Sequence, residues 1–146
     1  MSHYSALATR FKDRNCLVAA LGDVGYKTVE VHETGAALVG YQGDYRDKSD
    51  WGLHTNDIAR AVTAEVLVRR AYIDPAANDL GFARGADGAF GAIVSDYDRG
   101  RHDDAWIARL TQRYNLHVDK KKAKSMGYHV KETALPNGAI KLTLTR

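Results

Sequence analysis

Apolar residues between positions 102 and 126 recur at gaps of three, four and eight residues, as on one face of an amphipathic helix. Asp103 and Asp104 lie at the start of this stretch, where the positive end of a helix dipole favours carboxylates. Gly127 follows the stretch and suits a helix end, because glycine readily adopts a positive φ. We therefore predict a long helix whose buried stripe consists of Trp106, Ile107, Leu110, Tyr114, Val118 and Met126.

The pattern changes to that of strands after Gly127. Residues 128–133 and 139–145 alternate as strands do, and the intervening Pro136-Asn137-Gly138 is a strong turn signal. The long helix is thus predicted to continue into a β-hairpin.

A shorter version of the same design is predicted near the N-terminus. Asp13 is a good N-cap for a helix over 14–24, whose apolar residues follow the i, i+3, i+4, i+7 pattern. Alternation over 26–33, a turn at Thr34-Gly35 and a partner strand over 36–41 predict a hairpin after this helix. The chain is therefore expected to contain two helix-plus-hairpin units.

Further strands are predicted between and before these units. Residues 3–11 are a first strand candidate, and 80–84 pairs with 90–97 around Asp87-Gly88. In the ambiguous stretch 59–71, a short helical start is expected to give way to a β-rich strand near 65–71. The elements together predict an α+β fold with an antiparallel sheet and two helix-plus-hairpin units, loosely ferredoxin-like.

The stretch 42–57 departs from these patterns, because it is polar and rich in turn residues. We predict a mobile loop there, within a single domain that spans residues 1–146. Trp51 is an unusual residue for such a loop. Its ring either folds back onto the core, which we favour, or anchors a binding partner.

Composition narrows the expected class of protein. The chain has 146 residues, a formal net charge of +3 and a single cysteine. It has no apolar run of the roughly 18 residues that would span a membrane, and its first ten residues lack the order of a signal peptide. We therefore expect a cytoplasmic protein without membrane contact. The mild charge permits weak nucleic-acid binding but does not make it the default function.

Candidate metal ligands concentrate where the second hairpin meets the long helix. Asp96, Asp98 and His102 are the weak candidates, with Asp103 and Asp104 beside them. Their spacing matches no calcium loop, and the chain lacks the cysteine and histidine spacings of zinc sites. A solvated loop followed by first-turn carboxylates is the preferred interpretation, so we predict neither a metal nor a cofactor.

Two further sets of residues carry possible chemistry. Cys16 lies in the predicted first turn of a helix, where thiols are activated, but no histidine lies beside it in the sequence and a buried structural role is preferred. Candidate binding residues cluster on the long helix and are Gln112, Arg113, His117, Lys120, Lys121, Lys122 and Lys124. The lysines suit phosphates or simply a solvated helix end. Arg113 and His117 share one face, which suits an anion, a partner backbone or a structural polar network.

The string Leu-Thr-Gln-Arg-Tyr-x-x-His at 110–117 also carries a resemblance. Together with the beginning at 1–4 and the segments 21–26, 79–88 and 127–142, it resembles an uncharacterised family found as a conserved open reading frame of cyanobacteria and red-algal plastids. The family has no established activity. Its members are often encoded beside ATPases of the AAA type, which implies a partner or adaptor role.

The first hypothesis is therefore a non-catalytic binding or adaptor module within a protein assembly, with an AAA-type ATPase as the implied partner. One alternative is a nucleic-acid-associated protein that uses Arg113 and the lysines at 120–124. A small metal-dependent enzyme built on residues 96–104 is another. A homo-oligomer formed through edge strands is also plausible.

Overall fold

A computed structural model describes residues 4–146 of the chain. The start of the predicted first strand and the N-terminal tripeptide of the family resemblance lie outside the described residues. The described part contains two α-helices, α1 (Arg14–Asp23) and α2 (Asp104–Ser125). Its strands are β1 (Tyr4–Phe11), β2 (Glu30–Ala37), β3 (Tyr45–Asp47), β4 (Asp50–Thr55), β5 (Thr63–Val68), β6 (Leu80–Arg84), β7 (Phe90–Ser95), β8 (His129–Ala134) and β9 (Ile140–Thr145).

The strands form one large antiparallel sheet and two small ribbons. The large sheet has five strands in the order β1-β7-β6-β5-β2, whereas β3 pairs only with β4 and β8 only with β9. This arrangement confirms the predicted α+β class. None of the helices in residues 4–146 is long and apolar enough to cross a membrane.

Both helices begin and end where the sequence predicts. The Asp13 carboxylate accepts a hydrogen bond from the Cys16 backbone N–H at 3.0 Å, and Asp103 does the same for Trp106 at 2.9 Å. Gly127 has a φ of +87°, as expected of the residue after a helix. The predicted hairpins β6–β7 and β8–β9 are also confirmed.

The two helices pack together against one face of the five-stranded sheet. The core on this side, here called the helix face, combines residues of α1 and α2 with residues of β1, β5, β6 and β7. The Tyr114 hydroxyl accepts hydrogen bonds from the backbone N–H groups of Lys12 and Asp13 at 2.8 and 2.9 Å, which fixes α2 to the start of α1. The largest side chains of this helix-face core include Phe11, Leu17, Leu21, Phe82, Phe90, Trp106 and Leu110.

The opposite side of the sheet, here called the ribbon face, is only partly covered. Leu38 and the β3–β4 ribbon lie over it, and Trp51 packs against the second core cluster there. This cluster consists of Tyr4, Leu38, Val62, Ala64, Leu67 and Ile93. The expectation that the Trp51 ring folds back onto the core is confirmed.

The prediction of a mobile loop over 42–57 is wrong, because this stretch contains the β3–β4 ribbon. Asp47 is 3% exposed and forms an ion pair with Arg60 at 2.7 Å, and the Lys48 N–H donates to the Arg60 carbonyl. Polar contacts rather than an apolar stripe therefore fix this ribbon. A hydropathy pattern does not reveal such contacts.

The N-terminal hairpin prediction is also wrong. Thr34-Gly35 does not reverse the chain, and β2 is a single strand whose two halves both pair with β5. Gly35, with a φ of +83°, lies within an irregularity of register between Val31 and Ala36. The C-terminal hairpin differs from expectation as well, because it forms its own sheet beside α2 instead of joining a shared one.

Candidate functional site

Arg113, a predicted binding residue, connects three elements of the structure. Its Nε donates to Asp23 Oδ2 at 2.8 Å, and its Nη1 donates to Glu132 Oε1 at 2.7 Å. Asp23 is the last residue of α1 and Glu132 lies in β8. His117 adds a contact of 2.6 Å between its Nε2 and the same Asp23 oxygen. Arg113 and His117 therefore belong to a polar network that holds α1, α2 and the C-terminal hairpin together.

The other predicted residues of α2 divide into paired and exposed groups. Lys120 reaches Glu132 at 3.0 Å, Lys121 reaches the N-cap Asp13 at 2.5 Å, and Gln112 donates to the Gly138 carbonyl at 3.2 Å. Lys122 and Lys124 are exposed and form no ion pair within residues 4–146. The cations thus do not form one open basic surface.

The ionisation of the two network carboxyls agrees with this geometry. Burial raises the pKa of Asp23, but the hydrogen bonds from Arg113 and His117 outweigh it and the net pKa is lowered. Hydrogen bonds from Arg113 and Lys120 lower the pKa of Glu132. Both groups therefore stay charged at neutral pH, and the network stays paired.

The weak metal candidates point in different directions. The Asp96 carboxylate accepts a hydrogen bond from Ser5 on the exterior, whereas Asp98 is buried and accepts one from the Asn78 N–H at 3.0 Å. Asp98 Oδ1 lies 3.2 Å from Arg101 Nε, close enough for an ion pair but outside hydrogen-bond geometry. In the described residues, no three histidine, cysteine or acidic side chains converge to hold a metal ion. The structure does not bring these candidates together as ligands.

His102, the third metal candidate, is a core residue. It is 1% exposed, its Nε2 lies 2.7 Å from the Tyr26 hydroxyl, and its ring packs on Trp106 with the centroids 4.6 Å apart. Burial, followed by the charge of Arg101, lowers the pKa of His102 to about 4. The histidine is therefore neutral at physiological pH.

Cys16 is buried in the helix-face core rather than displayed as a nucleophile. Burial and then the charge of Asp13 raise the pKa of its thiol. A raised pKa keeps the thiol protonated, which supports the structural role preferred from the sequence.

A polar cleft on the ribbon face is a site that the sequence does not predict. We call it the Tyr4 cleft; its volume is about 510 Å³. Its walls come from β1, the chain between β2 and β4, and the region of β6 and β7. The lining residues are Tyr4, Gly40, Tyr41, Gln42, Asp44, Tyr45, Arg46, His54, Asn78, Ser95 and Tyr97.

Asn78 organises the walls of the Tyr4 cleft. Its Oδ1 accepts a hydrogen bond from the Tyr41 N–H at 2.9 Å, and its Nδ2 donates to Ser95 Oγ at 3.0 Å. The Gly40 N–H donates to the Asp44 carbonyl at 2.8 Å. An added Cβ at Gly40 would lie 2.8 Å from Asp44 Oδ1, so the Asp44 side chain would have to move to admit one. The walls are thus held by specific hydrogen bonds.

The floor of the cleft contains buried polar groups. Tyr4 is 4% exposed, and its hydroxyl has no hydrogen-bond partner in the described part of the chain. Arg46 is 6% exposed and donates from Nη1 to the Gly52 carbonyl at 3.4 Å. Burial, followed by the negative charge of Asp79, raises the pKa of the Tyr4 hydroxyl. This hydroxyl therefore remains a protonated donor.

A second concavity, here called the Trp51 groove, lies on the same face of the sheet. It is open and has a volume of about 470 Å³. Small side chains form most of its surface. Its lining residues are Ala6, Leu7, Thr9, Lys48, Trp51, Ala61, Val62, Thr63, Ala83, Gly85, Asp87, Ala89, Gly91 and Ile93.

Sequence reasoning misses the Tyr4 cleft because its parts are far apart in the chain. Tyr4, Arg46 and Asn78 occur in three segments and share no motif. One signal in the sequence was usable: Ser95 is a polar residue at the end of β7, where the apolar pattern of the strand predicts a core residue. Only the pairing of β1 with β7, which sets Tyr4 opposite Ser95, brings these residues together.

Comparison with known proteins places the chain in a family. A family model described as "Protein of unknown function (DUF1257)" matches residues 20–143. The chain is 28% identical over 149 residues to "Uncharacterized protein ycf35" of Guillardia theta, and the match covers 100% of this chain and 98% of that protein. No solved structure matches it significantly. The resemblance found in the sequence to an uncharacterised family is confirmed, and the chain belongs to the DUF1257 family.

Proposed function

We propose that this protein is a non-catalytic binding module that holds a partner protein against the Trp51 groove. The groove is the single observation that carries this proposal. It combines a partly buried tryptophan with a floor of alanine and glycine positions. Tryptophans that line a concave, largely apolar surface are frequent anchors of protein interfaces.

The surroundings of the groove also suit a protein partner. Lys48 and Asp87 are exposed and line the groove, so charged groups of both signs accompany its apolar floor. Interfaces commonly combine an apolar centre with a polar rim of this kind. The partner we propose therefore places a small apolar side chain on the floor and polar groups around it.

Strand β1 offers a second feature that a partner can use. It is an edge strand of the five-stranded sheet, and Ala6, Leu7 and Thr9 of this strand line the groove. An extended segment of a partner can add to such an edge through backbone hydrogen bonds. A second copy of this chain is an alternative user of the same edge, which would give a homo-oligomer.

An AAA-type ATPase is the partner we propose, on the basis of the family resemblance. The proposal places the complex in the cytoplasm. The nucleic-acid alternative has less support, because Arg113, Lys120 and Lys121 are already paired with carboxylates. No observation favours a metal-dependent enzyme built on residues 96–104.

Replacement of Ala83 by arginine tests this proposal. Ala83 lies partly exposed in the groove, so a long charged side chain there should block the floor. We expect Ala83→Arg to weaken binding to the purified AAA-type ATPase at least about tenfold, measured by calorimetric titration. The matched control is Ala108→Arg on the exposed side of α2, which should bind as the unmodified protein does.

Circular dichroism of both variants establishes that they are folded before binding is compared. Equal affinity of the two arginine variants for the ATPase would contradict the proposed surface. Failure of the unmodified protein to bind the ATPase at all would contradict the proposed partner.

A further inference from the structure

We infer that the Tyr4 cleft binds a small organic acid, with its carboxylate on the cleft floor and a planar ring at the mouth. The cleft is separate from the Trp51 groove, and this inference does not depend on the proposed protein partner. Four features of the cleft carry it: an unused buried donor, a second donor with a positive charge beside it, paired acidic neighbours and an aromatic mouth.

The Tyr4 hydroxyl is the first feature. It is buried and makes no hydrogen bond within residues 4–146. Most buried polar atoms in proteins have a partner, so an unpaired one requires an explanation. A ligand that supplies an acceptor oxygen at the cleft floor would satisfy it.

Ser95 contributes a further donor to the same cleft, and Arg46 contributes a positive charge. Ser95 Oγ accepts hydrogen bonds from Asn78 Nδ2 at 3.0 Å and from the Tyr97 N–H at 3.3 Å. Both of its lone pairs are then in use, so its hydroxyl proton remains to be donated. The buried guanidinium of Arg46 adds a permanent positive charge to the lining. A carboxylate offers two acceptor oxygens and a negative charge, which matches this set.

The acidic groups in and around the cleft each contact a basic side chain, so they do not exclude an anion. Asp44 contacts the Nδ1 atom of His54. Asp79 pairs with Arg69 at 2.8 Å, and Asp98 pairs with Arg101 at 3.2 Å. Each of these carboxylates therefore has a basic partner. Within the cleft lining, the positive charge of Arg46 balances the negative charge of Asp44.

The mouth of the cleft favours a flat ring. Tyr41 and Tyr97 are nearly parallel there, with an interplanar angle of 15° and centroids 6.3 Å apart. Their exposed fractions are 48% and 59%, so both rings present apolar surface to an incoming molecule. The Asn78 hydrogen bond to the Tyr41 N–H holds one of these walls in place. An aromatic acid can therefore stack at the mouth while its carboxylate reaches the floor.

Titration with benzoate tests the inference, with backbone amide shifts followed by two-dimensional NMR. We expect saturable binding with a Kd on the order of 1 mM, and shifts concentrated at residues 40–42 and 95–97. Benzamide retains the ring but not the charge, and acetate retains the charge but not the ring. Both should bind at least about fivefold more weakly than benzoate, because each lacks one half of the proposed recognition.

The variant Tyr4→Phe removes only the unpartnered hydroxyl. We expect it to weaken benzoate binding about tenfold, because a hydrogen bond to the charged carboxylate is lost. The matched control is Tyr72→Phe, which removes an exposed hydroxyl outside the cleft and should bind benzoate normally. Tyr4→Phe should melt at or above the temperature of the unmodified protein, so weaker binding cannot be ascribed to unfolding.

Three results would overturn the inference. The first is a set of benzoate-induced shifts that maps outside the cleft, and the second is equal binding of benzoate and benzamide. The third is unchanged affinity in a folded Tyr4→Phe protein.

Discussion

The helix face and the ribbon face of the five-stranded sheet differ in the size of the side chains they present. On the helix face, Phe11 packs edge-on against Phe82 with centroids 6.2 Å apart and against Tyr114 with centroids 4.9 Å apart. On the ribbon face, Ala64, Gly81 and Ala83 take the corresponding positions. Large interlocking residues fill the helix face, whereas on the ribbon face Leu38 packs onto Ala64 and Gly81, and Ala83 lines the Trp51 groove.

This difference separates the closed core of the sheet from its open concavities. Both the Tyr4 cleft and the Trp51 groove are lined by residues of the ribbon-face core, among them Tyr4 and Ile93. The polar network of α2 and the C-terminal hairpin stays on the helix side. The ribbon face is only partly covered, so it keeps open concavities beside its own core cluster.

The largest expected difference between the faces is in the cost of truncating a side chain. Leu110 is fully buried in the helix-face core, so Leu110→Ala should lower the free energy of unfolding by about 2–5 kcal/mol. Trp51 is only partly buried on the ribbon face, and Trp51→Ala should cost less than about 2 kcal/mol. Urea titration followed by circular dichroism measures both. Similar losses for the two variants would show that the ribbon face also supports the fold.

The second-largest expected effect is a loss of stability on acidification, which originates in the helix-face core. The folded-state pKa of His102 is about 4, well below the ordinary value near 6.5, so the unfolded chain binds a proton more readily than the folded one. Stability is therefore greatest above about pH 6.5 and falls as the pH decreases towards 4. The maximum loss from this residue is roughly 3 kcal/mol. Urea titrations at pH 7, 6 and 5 follow it.

His102→Gln provides the control for that pH dependence. Glutamine keeps a polar group near the Tyr26 hydroxyl but does not titrate. Hydrogen bonds from Arg69 and His32 lower the pKa of Glu30 from 4.5 to about 2. The contribution of Glu30 to the free energy of unfolding is therefore lost as the pH falls below about 4.5, and not between pH 7 and 5. The same pH slope in His102→Gln and in the unmodified protein would assign the effect to other groups.

The sequence predicts the elements of the helix face better than those of the ribbon face, because the helix face depends more on local signals. The stripe of α2 from Trp106 to Val118, the Asp13 cap and the turn at Asp87-Gly88 are local signals that the structure confirms. Met126, the last residue of the predicted stripe, is instead 57% exposed at the end of the helix. These signals depend on residues a few positions apart, where helix periodicity and turn chemistry act directly.

The ribbon face depends on contacts between distant residues instead. The ion pair of Asp47 with Arg60 ties the β3–β4 ribbon to the chain that follows it. The pairing of both halves of β2 with β5 makes Gly35 part of a register irregularity instead of a turn. The sequence could not predict the Tyr4 cleft, because its floor requires the register that sets Tyr4 opposite Ser95. Arg113 was recognisable as distinctive, but its partners Asp23 and Glu132 become evident only in the folded chain.

Substitution of Gly81 by alanine tests the small-residue packing of the ribbon face directly. An added Cβ would lie 2.8 Å from both Ala64 Cβ and Leu38 Cδ2, and the Ala64 atom is fixed by its own backbone. We expect Gly81→Ala to lower the free energy of unfolding by about 1–3 kcal/mol, as overpacking typically does. Gly22→Ala in α1 is the matched control, because nothing lies within 4 Å of the added Cβ and alanine favours the helix by up to about 1 kcal/mol. Opposite signs for the two variants would show that close packing, not glycine entropy, determines residue 81. A gain in stability from Gly81→Ala would mean that Leu38 moves aside freely and that the ribbon face is less closely packed than its geometry indicates.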